Sequence, residues 1–386
     1  MIPYGRQNIT QDDIDAVVEV LKSDYLTQGP AVSIFEKEIS NYCGAEYAIA
    51  LNSATSALHL ACLALDLRPG DWLWTSPITF VASANCALYC GAQVDFIDID
   101  PNTYNISIHA LEKKLIQAEL DGCLPKILVP VHFSGQPCEM ETIYRLSQRY
   151  GFKIIEDASH AIGGRYKNEA IGNCRYSDIT IFSFHPVKII TTGEGGMVLT
   201  NNPVYAEYIN LLRSHGITRD ESKMTQQPDG PWYYQQLNLG FNYRMTDIQA
   251  ALGFSQMQRL EQFIMQRHTL AARYNQSLDG LPLICPFQDA NSYSSWHLYV
   301  IRLQLDRIKL THRQVFDALR QNNIGVNLHY IPVYRQPYYQ KMGFKKEHFP
   351  EAEAYYSEAI SLPIFSSMTL EQHDTVIDAL QRILNE

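Results

Sequence analysis

The chain has 386 residues, 46% of them hydrophobic, with a formal net charge of −10 and a pI near 5.6. That size and apolar content call for a globular protein with a sizeable core, most simply two domains. The acidic balance excludes the basic face that nucleic-acid binding requires, and no apolar run is long enough to span a bilayer.

Met1–Arg6 lacks the apolar stretch of a signal peptide, and the cysteines are scattered, many inside apolar segments, as reduced thiols would be. A cytoplasmic protein is expected. Cys86 and Cys90 share a helical face, but no second cluster completes a metal site, so no metal is expected.

Thr10-Gln11-Asp12-Asp13 reads as a capping box with Asp in place of Glu, opening a helix that ends near Ser23. A turn at Leu26–Pro30 precedes a second helical pattern from Val32. Ala48–Leu51 is a short buried strand feeding Asn52-Ser53-Ala54-Thr55-Ser56-Ala57, after which a helix continues through Leu65. A helix start made of small hydroxyl residues suits a phosphate, because its first amides lack internal partners and carry partial positive charge. An ordinary Ser/Thr cap explains the same residues. No Walker loop and no G-x-G-x-x-G occurs, so ATP and NAD readings have no support.

Strands and helices then alternate: Trp72–Ser76, Phe80–Tyr89, Gln93–Ile99, Ser107–Glu119, Lys126–His132, Met140–Tyr150 and Phe152–Glu156. Such β–α repetition implies a mainly parallel sheet covered by helices on both faces, with ligands at the carboxyl ends of the strands. Asp157 stands at one such end. It is either a helix cap or a carboxylate that keeps a heterocyclic nitrogen protonated.

Ile179–Ser183 reads as a buried strand stopping at His185-Pro186, and Met197–Thr200 as another starting after Gly195-Gly196. Lys188 lies on the loop between them, either leaving the core for solvent or serving a site. The turn-rich segment His215–Gly240 carries Trp232, Tyr233 and Tyr234, which suit packing against a second subunit. A long amphipathic helix is expected from Asn242 past Leu260. Gly280-Leu281-Pro282 marks the domain change, giving residues 1–280 and 281–386. The smaller unit is read as strand Tyr299–Leu305, helix Arg313–Gln321, strand Val326–His329, and helices Ala352–Ile360 and Leu370–Leu384.

A loop lysine, a strand-end aspartate, a hydroxyl-rich helix start and Ser183 together match the needs of an aldehyde cofactor bearing a phosphate. That cofactor is pyridoxal 5′-phosphate (PLP).

The motifs Asn52–Leu58, Thr79-Phe80, Glu156–Ala161, Ser183-Phe184-His185-Pro186-x-Lys188 and Thr192–Gly196 belong together. With Arg213–Gly216, Gly240–Met245 and His329-Tyr330-x-Pro332, they make the chain resemble the DegT/DnrJ/EryC1/StrS family. These are PLP-dependent sugar aminotransferases of the aspartate aminotransferase fold, fold type I. The resemblance covers nearly the whole chain and implies an α/β fold, with a large PLP-binding domain and a smaller C-terminal α/β domain.

It also implies roles. Lys188 would hold PLP as a Schiff base and then shuttle the proton, and Asp157 would pair with the pyridinium nitrogen. Phe80 would stack on the ring and His160 would stand near its hydroxyl. Ser183 and the amides of Thr55 and Ser56 would bind the phosphate. Asn242 would reach in from the neighbouring subunit of a homodimer with shared active sites. Tyr4, Gln28, His185, His329 and Tyr330 match family positions for substrate contact. Members with histidine in place of the lysine dehydrate the sugar; Lys188 implies transamination instead.

Leu26–Pro30, Ser76–Phe80 and the Pro231–Tyr234 loop resemble the pseudaminic acid branch, which moves an amino group from L-glutamate to C4 of a UDP-linked 4-keto-6-deoxy sugar. GDP-perosamine-type and UDP-4-amino-arabinose-type 4-aminotransferases are the nearest alternatives. A non-catalytic binder of PLP or a sugar nucleotide is disfavoured by the joint presence of lysine, aspartate and phosphate contacts.

Overall fold

The computed structural model describes residues 1–385. Its centre is a seven-stranded sheet of β1 (Tyr47–Leu51), β2 (Trp72–Thr75), β3 (Gln93–Phe96), β4 (Ile127–Val129), β5 (Lys153–Asp157), β6 (Ile179–Ser183) and β7 (Gly196–Thr200). The spatial order is β1-β7-β6-β5-β4-β2-β3. Strands β3, β2, β4, β5 and β6 pair in parallel, while β7 runs antiparallel to both β6 and β1. β6 and β7 are buried along their whole length, which is why they read as continuous apolar runs.

Helices cover both faces of the sheet. On one side Leu58, Ala61 and Cys62 of α3 (Ala54–Ala64) and Ala84, Cys86 and Ala87 of α4 (Ala82–Tyr89) share a core with Ile155, Ile181 and Val198. On the other, Phe35 and Ile39 of α2 (Pro30–Cys43) join Leu111 and Leu115 of α5 (Ile108–Asp121), with Ile143 and Leu146 of α6 (Met140–Tyr150), around Leu128 and Phe182. α7 (Pro203–Arg213) flanks β1 and β7.

The expected single helix beyond Asn242 is two. α8 (Asp247–Met257) starts at the Thr246 cap, and α9 (Leu260–Ser277) follows a break at Gln258-Arg259. Tyr243 and Arg244 are held extended instead: Asn52 N–H donates to the Tyr243 carbonyl, and Leu51 bridges Arg244. At the break, Arg259 is drawn to Asp13. This buried carboxylate belongs to α1 (Gln11–Lys22), accepts the Thr10 N–H of the expected capping box, and also binds Ser255 and Gln256. Burial alone would raise the Asp13 pKa, but these donors and the Arg259 charge outweigh it and hold the carboxyl below its usual value.

A smaller sheet is built from β8 (Leu283–Ile284), β9 (Tyr299–Leu303) and β10 (Ala359–Leu362), all antiparallel. It packs with α10 (His312–Gln321) and α12 (Leu370–Asn385) in a core that also takes Leu270, Ala271 and Tyr274 of α9. The first half of α9 instead buries Leu260, Phe263 and Ile264 in the large core, so one helix serves both.

Two readings are corrected here. α11 (Pro350–Glu358) stops short of Ile360 because Ala359–Leu362 is a strand; a short, fully buried apolar run does not distinguish the two. Val326–His329 is no strand, since only Asn327 bridges Ser361 there.

Removing a buried carboxylate that several donors and an arginine share leaves them unsatisfied. Asp13→Ala is therefore expected to cost about 3 kcal/mol of stability, read as a lowered urea midpoint. The depressed folded pKa also means that this contribution is present above the usual aspartate range and is lost as pH falls through the folded value.

Candidate active site

A cavity of about 540 Å³ opens at the carboxyl ends of the sheet strands, where the sequence places its candidates. It is lined by Ser53, Ala54 and Thr55 after β1, Phe80 after β2, Val131 after β4, Asp157 at the end of β5, and Ser183 and Lys188 after β6. Tyr4 and the segment Asn327–Tyr330 close it from the side of the small sheet.

The Lys188 loop is tied shut at its base. Phe184 N–H donates to the Gly195 carbonyl at 2.9 Å, and Thr192 N–H returns to the Phe184 carbonyl at 3.0 Å. The buried Phe184 ring anchors it against Phe35, 5.2 Å between centroids. Lys188 N–H donates to the His185 carbonyl, so the lysine sits on a turn with its side chain at the cavity. The amine is reachable from the cavity yet enclosed by protein. That desolvation pulls its pKa down from 10.5 to about 8, against an opposing upward pull from Asp157.

Asp157 is buried and fixed from two sides. Its Oδ2 accepts from the Ser83 hydroxyl at 2.6 Å, and its Oδ1 accepts from the Ser159 hydroxyl at 2.6 Å and the Ser159 N–H at 3.2 Å. Thr79 in turn contacts Ser83 at 2.8 Å. A carboxylate tied in this way can face a cationic ring nitrogen without swinging to another partner.

The helix start behaves differently in detail from its sequence reading. Ser53 is the cap of α3, and its Oγ accepts the Ser56 N–H. The Ser56 hydroxyl donates to Asn52 Oδ1 at 2.6 Å, and Ser56 does not line the cavity. The open amides are those of Ala54 and Thr55, the first of the helix, which no intrahelical carbonyl can reach. Gly196 runs across this turn; a Cβ there would lie 2.5 Å from Ala54 N, so only glycine leaves the cradle undisturbed.

His160 Nε2 lies 3.1 Å from the Tyr330 hydroxyl, while its Nδ1 is buried without a partner. Burial first, then the Lys188 and His329 charges, push its pKa well below the usual histidine value, so the ring is neutral. His329 shares Nδ1 with the Ser361 hydroxyl at 2.8 Å and is lowered to about 3 by burial and Lys188. Phe80 stands 60% exposed at the cavity, its centroid 6.4 Å from that of Tyr330.

The structure thus brings Tyr4, Thr55, Phe80, Asp157, His160, Ser183, His185, Lys188, His329 and Tyr330 around one space. It does not bring Gln28 or Asn242 there. Gln28 is exposed on the loop before α2, and Asn242 is exposed where it bridges Ser214. Sequence reasoning missed Ser83, Ser159, Glu194, His297 and Asn327. Ser159, two residues after a strand-end aspartate, and Glu194, inside the Thr192–Gly196 motif, carried a signal; the others carried none. Among the described residues no group of His, Cys, Asp and Glu could hold a metal, and no helix is long and apolar enough to cross a membrane.

The DegT/DnrJ/EryC1/StrS aminotransferase family model matches residues 7–381. The chain belongs to this family. It is 39% identical to the spore coat polysaccharide biosynthesis protein SpsC of Bacillus subtilis, covering 99% of this chain and 97% of that one. It is 38% identical to the UDP-4-amino-4,6-dideoxy-N-acetyl-β-L-altrosamine transaminase of Campylobacter jejuni 81-176, covering 100% and 98%. Among solved structures, Helicobacter pylori PseC, an aminotransferase involved in the biosynthesis of pseudoaminic acid, superposes with a TM-score of 0.90 at 30% identity over 100% and 99% of the two chains. The protein is therefore a PLP-dependent nucleotide-sugar aminotransferase with the fold of that family.

The residues fit PLP. The cavity offers an amine, a fixed carboxylate, and a glycine-backed pair of helix-start amides for a phosphate. Only a neutral amine attacks an aldehyde, so PLP capture by the stripped protein should rise about tenfold per pH unit until about pH 8 and then level off. Rapid-mixing absorbance would measure it. A rate still climbing toward the ordinary lysine value of 10.5 would mean that the amine is not desolvated.

Proposed function

We propose that the enzyme moves an amino group from L-glutamate to C4 of a nucleotide-linked 4-keto-6-deoxy sugar, and that the acceptor is UDP-4-keto-6-deoxy-N-acetyl-β-L-altrosamine of pseudaminic acid biosynthesis. The observation that carries the acceptor is the end-to-end 38% identity to the Campylobacter jejuni transaminase. The likeness to the Helicobacter pylori protein supports the same branch.

Bound PLP supplies the electron sink that lets an amino group pass between two carbon skeletons. Lys188 holds it and then takes and returns a proton at Nζ; a pKa of about 8 leaves part of the amine neutral near physiological pH. Asp157 keeps the ring nitrogen protonated, Phe80 covers the ring, and His160 faces its hydroxyl. The amides of Ala54 and Thr55, with the Ser183 hydroxyl, hold the phosphate. Ser56 is withdrawn from this set because Ser53 and Asn52 already engage it. Tyr4, His185, His329 and Tyr330 border the space left for substrate.

The working unit is a homodimer with shared sites, in the cytoplasm, where its eight free cysteines stay reduced. Among the described residues Lys188 is the lone lysine or arginine lining the cavity, beside Asp157 and Glu194. A diphosphate and the glutamate carboxylates need further positive groups, which a second copy can provide. The segment that carries Asn242 exposes Trp232 at 72% and Leu239 at 84%, together with Arg219. Asn242 is assigned to the neighbouring copy's site.

Two experiments test this reading. Glutamate should convert bound PLP to its amine form, and the UDP-linked 4-keto-altrosamine precursor alone should restore the aldehyde spectrum. Restoration by GDP-linked or UDP-4-keto-arabinose-type sugars instead would keep the chemistry and replace the substrate. Mixed dimers of Lys188→Ala and Asn242→Ala chains should regain activity above both inactive parents, since one composite site is intact; no gain would mean that the site is not shared.

A further inference from the structure

Arg267, near the middle of α9, is 1% exposed, and no carboxylate pairs with it among the described residues. A buried charge without a counter-ion is costly unless its donors are satisfied. One guanidinium nitrogen, Nη1, shares its two hydrogens among three carbonyls, Trp296 at 3.0 Å, His297 at 3.2 Å and Ile364 at 3.1 Å, while Nε is buried without a partner. The first two belong to a turn in which Trp296 adopts φ of +51°, a left-handed conformation that a bulky residue rarely holds unaided. Ile364 N–H donates to the carbonyl of Tyr4, which lines the cavity.

That turn grips His160. The buried Ser295 hydroxyl donates to the His160 carbonyl at 2.6 Å, and Ser295 N–H donates to the Gly135 carbonyl at 3.1 Å. The His297 ring lies 4.3 Å from the His160 ring and also lines the cavity. The Nδ1 atoms of both histidines are buried without partners. The groups facing this pair are Lys188, His329, Arg267 and Tyr330. The cations among them, together with burial, keep both imidazoles neutral.

We infer that Arg267 and His297 are positioning residues of the cofactor site: Arg267 locks the Trp296-His297 turn, and the His297 ring fixes the plane of the His160 ring at the cavity wall. His160 is buried among three rings, with His297 at 4.3 Å between centroids, nearer than Phe133 and Tyr330, both at 6.1 Å. The His297 ring is thus the tightest packing restraint on its plane. With PLP bound, an N–H of the neutral His160 ring that donated to the cofactor's ring oxygen would stabilise negative charge there and ease loss of the neighbouring proton. Loosening His160 therefore raises the pH at which the bound cofactor loses that proton.

The inference rests on PLP occupying the cavity at Lys188, so wild-type protein is tested first. If borohydride fixes no PLP on Lys188, the site assignment itself fails. If it does, the pH titration of cofactor absorbance and the PLP dissociation constant are compared across variants. His297→Ala is expected to raise the titration midpoint by about one unit, a tenfold change in proton affinity, and to weaken PLP binding several-fold. His297→Phe keeps a ring against His160 and should recover most of both. His373→Phe, a buried histidine in the smaller core, should move neither. Arg267→Met should shift the midpoint in the same sense; if it fails to fold, His297→Ala decides. A folded His297→Ala protein that titrates and binds PLP like the wild type would overturn the inference.

Discussion

The enclosure of one amine governs how this molecule is built. Lys188 must be dry enough to lose its proton near neutral pH, yet open to the cavity and near a carboxylate that pulls the other way. Desolvation wins because the loop carrying the lysine cannot drift into water. Its ends are two fully buried strands, its base is bonded to itself, and Phe184 is sunk into the large core. The antiparallel β7 is part of this device. By returning directly beside β6, it makes the 184–195 segment a closed loop rather than a crossover, and it brings Gly196 against the start of α3. The same reversal that encloses the lysine thus builds the amide cradle.

Much of this was legible because it depends on neighbours in sequence. Apolar runs stopping at His185-Pro186 and resuming at Met197 locate the lysine loop, and alternating strands and helices place Asp157 at a carboxyl end. What was hidden depends on tertiary competition. Three hydroxyls crowd the helix start, and only folded geometry shows that Ser53 caps it and thereby removes Ser56 from the cavity. The break before Leu260 is equally silent locally. Its residues are good helix formers, and Asp13, far away in sequence, draws Arg259 out of line. Ser83 looks like any small residue on an apolar helix until β5 sets Asp157 beside it.

The smaller sheet's contribution is the least legible of all. Asn327–Tyr330 carries an alternating pattern without ladder pairing, because its backbone lines a cavity instead of joining a sheet. His297 sits just before β9 with no motif around it, and its turn is held against His160 by the Ser295 bonds and by Arg267 of α9. Along that helix Ile264 packs in the large core and Leu270 in the small one, with Arg267 between them.

That arrangement has a consequence for specificity. The residues proposed to hold PLP come almost entirely from the large sheet, whereas Tyr4, Asn327 and His329 reach the cavity from the side of the small one. Chemistry common to a family can then be held on the rigid parallel strands, where a displaced carboxylate or amide would cost catalysis. Sugar and nucleotide recognition is left to loops that can change without disturbing it. Among the described residues the cavity of one chain pairs a single lysine with Asp157 and Glu194, so its own lining does not balance the charge of an anionic nucleotide sugar. On the proposed roles, discrimination among sugars falls to the small-sheet residues and to whatever surface closes the open side, not to Lys188 and Asp157.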